Sequence, residues 1–365
     1  MNVLILRVSA IGDVIHTLPA IFLIKKVYPK AKISWVVQEK AADLLINQPF
    51  IENVWILPDK FLTKKNRPLA IKTIKNIRRI KWDAIIDFQG IIKTTLVLLT
   101  LRGKKYGFDF NNARLWATTF FTKHHTKPIY TNIIQKNLAL ASNMLQDKLN
   151  IKTNPTLHSL QNSFKLHVPE TNKAKIETWL LQNKIKNFII LAPNTTWPSK
   201  LWPQENWEQL TELLLNNKYF SAKYSIILIG KDFGNQAQKL ASFINKKQLN
   251  IKLAPSWDLL TTSYLIKKSD LLVAPDTGVL HIADFLGKKS IGIFGPTFAK
   301  KHGPFLLDEN IENVIQVNCP HHYQKTHGNM KKNKQKDRTQ WDCMYKLSPE
   351  MLLTTILQIL GGKQL

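Results

Sequence analysis

One stretch constrains this chain more than any other: an apolar run that ends in Asp-Thr-Gly and passes straight into a helical pattern. Residues 270–286 read DLLVAPDTGVLHIADFL, which is a short buried-type strand, the turn Ala274–His281, and apolar positions at helical spacing. A strand that turns directly into a helix leaves the first helical N–H groups without intrahelical partners. Gly278 there admits a close backbone approach and Thr277 adds a hydroxyl. Such a turn suits the phosphates of a nucleotide diphosphate, and the same residues also fit an ordinary helix-capping turn.

Two further loops have the same setting. The start, MNVLILRVSAIGDVIHTLPAIFLIKKVYP, reads as a strand over 3–8, a loop holding Gly12 and Asp13, and a helix over 15–28 closed by Pro29. The segment PNTTWPSKLWP, Pro193 to Pro203, lies between a strand at 188–192 and a helix starting near Gln204. Polar residues concentrated in strand-to-helix loops mark the carboxyl ends of strands in an open α/β sheet, where ligands bind. The alternation continues with strands at 32–37, 53–56 and 83–87 and helices at 40–47, 68–80 and 91–101. A polar connection at 149–172 and a helix at 173–184 lead to strands at 188–192, 225–229, 251–253, 270–274, 290–294 and 313–317.

A chain of 365 residues is long for one core and natural for two α/β domains, and its 44% apolar content can fill both. Lys+Arg 52 against Asp+Glu 25 gives a formal charge of +27, so a strongly anionic partner is expected: nucleic acid, an acidic membrane surface, or a phosphorylated glycolipid. Charge does not choose among them, and part of the lysine excess accompanies abundant Asn and Ile. No apolar stretch approaches the roughly 20 residues that span a bilayer, and two cysteines fit reduced thiols. The expectation is a cytoplasmic protein, by which an acceptor embedded in a membrane would have to be met at the surface, on its inner face, through basic residues and one apolar helix face.

The segments SAIGDVIHTLPA, DFQGIIKTTLV, PNTTWPSKLWP, APDTGVLHIADFLGKKSIGIFGPT and Cys343-Met344, in this order, resemble the bacterial lipopolysaccharide heptosyltransferases of glycosyltransferase family 9. The first two look most like the heptosyltransferase I branch. The resemblance implies a GT-B fold, two Rossmann-like doubly wound domains facing across a cleft. It assigns 1–160 to acceptor binding, 173–346 to nucleotide-sugar binding, and 347–365 to a C-terminal helix packed back on the first domain. The reaction it implies is an inverting, metal-independent transfer of L-glycero-D-manno-heptose from ADP-heptose to the Kdo sugar of the lipid A inner core. No cofactor is implied, ADP-heptose being a substrate.

That chemistry needs a base, stabilisation of the leaving ADP, and recognition of donor and acceptor. The resemblance places the catalytic carboxylate at Asp13, beside Gly12. Asp13 can act if its site raises its pKa or if proton loss is late, and it also fits a helix cap. His16, one turn on, reads as a neighbour. Lys200 can neutralise the diphosphate as a point charge, joined by Thr195, Thr196 and the Thr277-Gly278 helix end. Asp276 is a candidate for heptose hydroxyls. His281 is a candidate for the diphosphate or for packing under the loop, and Trp257 for the adenine or for the core. For the acceptor, Lys93 and Arg114 match basic positions implied by the resemblance; Arg7 and the cluster Lys60, Lys64, Lys65 and Arg67 add positive charge.

Some patterns are weaker. The resemblance calls for a carboxylate on ribose after the strand 225–229, and Asp232 in GKDFGNQAQ is the only acid there. Cys319, His321, His322, His327 and Cys343 lack the paired spacing of a structural zinc site. Gly12 stands without the further glycines of a dinucleotide fingerprint, Walker A is missing, and Asp59 and Asp83 stand alone, so no metal site is assigned. The basic tract 324–338 reads as a loop. Two rivals stay open: heptosyltransferase II, which adds heptose to heptose, and a basic non-catalytic nucleic-acid-binding protein. Against the latter stands the lack of an aromatic-interleaved RNA motif or recognition helix, so no nucleic acid is expected as partner.

Overall fold

The computed structural model describes residues 1–151, 165–230, 235–303, 314–317 and 343–361. Among them the chain divides into two units, Met1–His167 and Val168–Leu365. The first carries a six-stranded sheet of β1 (Asn2–Leu6), β2 (Lys32–Gln38), β3 (Asn53–Leu57), β4 (Ala84–Asp87), β5 (Lys104–Phe108) and β6 (His124–Thr126), in the order β3-β2-β1-β4-β5-β6. Every pairing is parallel. Parallel strands are covered by helices on both faces and read as continuous apolar runs. NVLIL of β1 and AIID of β4 are such runs, with Val3, Leu4, Ile5, Ile85 and Ile86 all fully buried.

Between β1 and β4 the strand order reverses, and successive connections leave in opposite directions. This topological switch opens a crevice at the carboxyl ends of the two strands. The register sets Leu6 beside Asp87, so the loops after β1 and β4 start level with one another.

The second unit repeats the plan with β7 (Phe188–Leu191), β8 (Ser225–Leu228), β9 (Ile251–Leu253), β10 (Leu271–Pro275), β11 (Ser290–Phe294) and β12 (Val314–Gln316), in the order β12-β11-β10-β7-β8-β9 and again wholly parallel. Its switch lies between β7 and β10, where Val273 pairs with Leu191. Two doubly wound Rossmann-like sheets were expected from the sequence, and two are present.

Trp202 and Trp207 anchor the second core edge to face, ring centroids 4.9 Å apart. The terminal helix Pro349–Ile359 joins this same core. Leu352 and Ile356 are buried in it, and the Trp202 indole N–H donates to the Leu347 carbonyl at 3.0 Å. This terminal helix lies against the helix Gln204–Asn216 of the same unit.

Other differences have local causes. The helix expected over 15–28 is two helices, Ile11–Ile15 and Leu18–Val27, because Pro19 cannot donate to the carbonyl of Ile15 and so tolerates only a helix start. β5, β6 and the helix Ile133–Leu149 were not anticipated. β5 opens on two lysines, and β6 is three polar residues at the sheet edge. The long helix does show the expected spacing in Ile134, Leu138, Ala141 and Leu145, with Asn132 accepting from Ile134 N at 2.9 Å as its cap. The basic tract 324–338, the ribose candidate Asp232 and all of the proposed zinc set except Cys343 lie outside the described residues. Cys343 is buried in the second core.

Candidate functional site

At the switch of the first sheet, β1 runs into Arg7, whose guanidinium is 1% exposed, donates to the Phe88 carbonyl and pairs with Asp13. Asp13 sits third in the helix Ile11–Ile15 and accepts the Ala10 N–H at 3.2 Å, the return half of a capping box. It is also gripped from outside: Arg114 Nη2 lies 2.9 Å and 3.0 Å from its two oxygens. Asp13 is thus both a cap and an anion between two arginines.

The loop after β4 fixes this arrangement. The Gln89 side chain accepts from Val8 N at 2.9 Å and donates to the Ser9 carbonyl at 2.9 Å, stitching the two switch loops together. Asp87 is fully spent on the turn, accepting from Gln89 N, Gly90 N and the Thr94 hydroxyl. Gly90, at φ +58°, takes a conformation that disfavours a side chain, and its carbonyl receives Leu115 N at 3.0 Å. That bond seats the segment carrying Arg114.

Burial alone would push the Asp13 carboxyl up. Arg7, Arg114 and then His16 outweigh it and hold the group well below the usual carboxylate range. Burial in turn lowers Arg7 to about 10 despite the Asp13 charge. Asp13 is therefore an anion at any working pH, which removes one of the two routes by which it can act as base: a raised pKa. The route left open to such a carboxylate is late proton transfer. Asp87 behaves oppositely: burial raises it against three hydrogen bonds.

The acceptor candidates separate. Arg114 joins Asp13, whereas Arg7 is too buried to offer itself to an acceptor and instead positions Asp13. Lys93, on the helix Ile92–Thr100, lies 5.9 Å from the centroid of the Phe61 ring. Lys64, Lys65 and Arg67 are exposed, as a solvated basic face would be.

The second unit has its own cluster at its own switch. Lys200 ends a short 3₁₀ turn, Pro198–Lys200, in the loop after β7; Asp276 follows β10 directly. Their charged groups lie 2.6 Å apart, and the other Asp276 oxygen lies 3.2 Å from His281 Nε2. One carboxylate thus ties together both switch loops and the helix Gly278–Phe285. Burial pushes Asp276 up, but His281 and Lys200 hold it well below the usual range. Both of its oxygens being engaged and the residue buried, Asp276 serves first to aim Lys200, and His281 is packed beneath the loop on Asp276.

Lys200 remains partly open, 18% exposed, with ammonium donors to spare beyond the one given to Asp276. Thr277 caps the helix by its backbone, in extended conformation, without committing its hydroxyl to the cap, and both it and Gly278 are half-buried. Thr195 is half-buried, with its hydroxyl 3.5 Å from Trp197 N, and Thr196 is exposed. A partly open lysine, a Thr277 hydroxyl not used by the cap and helix N-terminal N–H groups are the kinds of group that can hold an anion. Trp257 lies in the loop after β9, two strands from β7, half-buried and edge to face with Trp179 at 5.3 Å between centroids.

Asn194 was missed by the sequence reading. Its amide donates to the Gly230 carbonyl at 2.7 Å and accepts from Ala237 N at 2.9 Å, bracing the loop that carries Thr195 to Lys200. Gln89, within DFQGIIKTTLV, likewise carried no assigned role. Among the described residues no group of three or more His, Cys, Asp or Glu is gathered as a metal ion would require.

The comparisons with known proteins agree with these two folds. Residues 70–335 match the family described as glycosyltransferase family 9 (heptosyltransferase). The chain is 27% identical over 323 residues to lipopolysaccharide heptosyltransferase 1 of Campylobacter coli, covering 87% of this chain and 90% of that protein. It is 23% identical over 372 residues to lipooligosaccharide heptosyltransferase 2 of Campylobacter jejuni subsp. jejuni serotype O:2, covering 100% of both. In three dimensions it is similar to the E. coli heptosyltransferase WaaC solved with ADP, at a TM-score of 0.73 and 20% identity over 98% of this chain and 100% of that one. Enzyme relatives along nearly the whole length displace the reading as a non-catalytic nucleic-acid binder. With the family matched over most of its length, the chain belongs to glycosyltransferase family 9, the heptosyltransferases, and is a glycosyltransferase.

Proposed function

We propose that the protein transfers L-glycero-D-manno-heptose from ADP-heptose to the Kdo sugar of the lipid A inner core, with inversion and without a metal ion, as a heptosyltransferase I. The observation that carries this reading is the Lys200–Asp276 pair at the second switch, 2.6 Å long and beside the Gly278 helix terminus. Negative charge grows on the diphosphate as the glycosidic bond breaks. A lysine held in place by a buried carboxylate, with helix N–H groups fixed nearby, meets that charge without reorganising. Lys200, Thr195, Thr196, Thr277 and Gly278 are the donor-phosphate residues in this account, Asp276 and His281 position Lys200, and Trp257 offers an indole to the adenine.

On the acceptor side, Asp13 receives the hydrogen bond of the attacking hydroxyl and takes its proton late, as the new bond to the anomeric carbon forms. Arg114, already on Asp13, is the cation best placed for the Kdo carboxylate, and Lys93 is a second acceptor contact.

The similarity to a lipooligosaccharide heptosyltransferase 2 over the full length supports a second reading, transfer of heptose to heptose. Product analysis with ADP-heptose and two soluble acceptors separates them. Heptosylation of the acceptor ending in Kdo supports the first reading; reaction only with the acceptor already carrying a heptose supports the second.

A further inference from the structure

The loop 193–203, which carries Thr195, Thr196 and Lys200, is fastened near both ends to the first turn of one neighbouring helix, Asn235–Lys246. Near its start the Asn194 amide oxygen accepts from Ala237 N at 2.9 Å; near its end the Trp202 carbonyl accepts from the buried Gln236 side chain. The nitrogen of the same Asn194 amide donates to the Gly230 carbonyl at 2.7 Å, just past the carboxyl end of β8. Gly230 allows this approach. At φ +84° its backbone is left-handed, and a Cβ there would stand 3.0 Å from the Asn194 amide nitrogen. An early N–H of a helix is ordinarily capped by a side chain just ahead of it in sequence. Here the cap comes from 43 residues away, out of the loop that holds the phosphate candidates. The end of β8 and the helix after it therefore cannot shift without carrying that loop with them.

We propose that Asn194 is a positioning residue for the donor nucleotide, one that makes the diphosphate half and the nucleoside half of a nucleoside diphosphate bind to a single preorganised surface. The inference rests on the proposed donor site and deepens it. β7, β8 and β9 lie side by side in the sheet, so a nucleotide with its phosphates on the loop after β7 and its base at Trp257, after β9, passes its ribose over the end of β8. Both ends of the Asn194 amide are committed to backbone, so it acts through the loop and not on the ligand. Joining two half-ligands gains affinity only when their half-sites keep a fixed separation, and the Asn194 bonds fix it.

The test is a titration, by ligand-observed NMR, of the wild type, Asn194→Ala and Gly230→Ala with ADP, adenosine and inorganic pyrophosphate. Gly230→Ala disturbs the same contact from the other side while leaving Asn194 in place, so it decides the question alone if Asn194→Ala does not fold; thermal melting monitors both. In both variants ADP is expected to weaken about tenfold, the scale of one lost hydrogen bond, while adenosine and pyrophosphate each change by less than about twofold. Equal weakening of all three ligands is mere loosening of the fold and overturns the inference, as does an unchanged affinity for ADP. A wild type that binds ADP no better than pyrophosphate overturns the donor reading and this inference with it. The ADP-selective loss in a protein that transfers no heptose to Kdo counts against the proposed acceptor and leaves Asn194 in its role.

Discussion

Asp276 holds Lys200 at 2.6 Å through one carboxylate oxygen and His281 at 3.2 Å through the other, so a single buried anion sets the position of the one and the packing of the other. If Lys200 is the counter-charge of the leaving ADP, Lys200→Ala lowers turnover by about 10²–10³-fold, the usual effect of removing one such donor, and weakens ADP-heptose binding with it. Asp276→Asn leaves the lysine present but unaimed, and is expected to lower turnover more than it weakens ADP binding. Steady-state kinetics and ADP titration of both variants check this.

Asp13 and Arg7 form the corresponding pair in the first unit. Asp13→Asn is expected to cut turnover by about 10²-fold or more, with donor affinity nearly unchanged. It also strips the buried Arg7 of its counter-ion. Breaking a buried pair from one side costs about 3–5 kcal/mol, so Asp13→Asn destabilises the protein, and adding Arg7→Met recovers much of the loss without recovering activity. Denaturant unfolding of the two single variants and the double variant measures the coupling.

The pH dependence follows from the same carboxylates. Asp13 and Asp276 are both held below the ordinary carboxylate range by their cationic neighbours, so the stability they contribute is fully present above about pH 4–5 and is lost as pH falls toward their folded values. Melting temperature is therefore expected to drop on acidification below pH 4, and less steeply in Asp276→Asn. For the same reason Asp13 gives turnover no acid limb between pH 5 and pH 8. A turnover limb in that range that disappears in Asp13→Asn would contradict the assignment.

Gly90 ties backbone conformation to the site. At φ +58° an alanine is strained, and the residue also seats Leu115 and with it Arg114. Gly90→Ala is expected to destabilise by about 1 kcal/mol or more and to raise KM for the acceptor, with KM for ADP-heptose unaffected.

The parts legible in the sequence were those with strong periodicity or a loop position. β1, β4, β7 and β10 read as strands because parallel sheets bury both faces, and Asp13, Lys200 and Asp276 stood out because the loops after such strands face a crevice. β5 and β6 were missed because lysines, and polar residues at an edge, carry no such pattern. Arg7 was read as an acceptor group because burial of a charge is invisible until its partners are known, and Phe88 is 81 residues away. Gln89 and Asn194 act through hydrogen bonds of their side-chain amides to distant backbone, which leave no spacing to recognise.

The most direct test of the central claim is the product formed by the purified protein from ADP-heptose and a Kdo-terminated acceptor in excess EDTA. The account expects ADP release matched mole for mole by a heptosylated Kdo product, with the anomeric configuration inverted by NMR and the rate unchanged by the chelator. Retention of configuration, a rate abolished by EDTA and restored by a divalent ion, or no transfer to Kdo would contradict it.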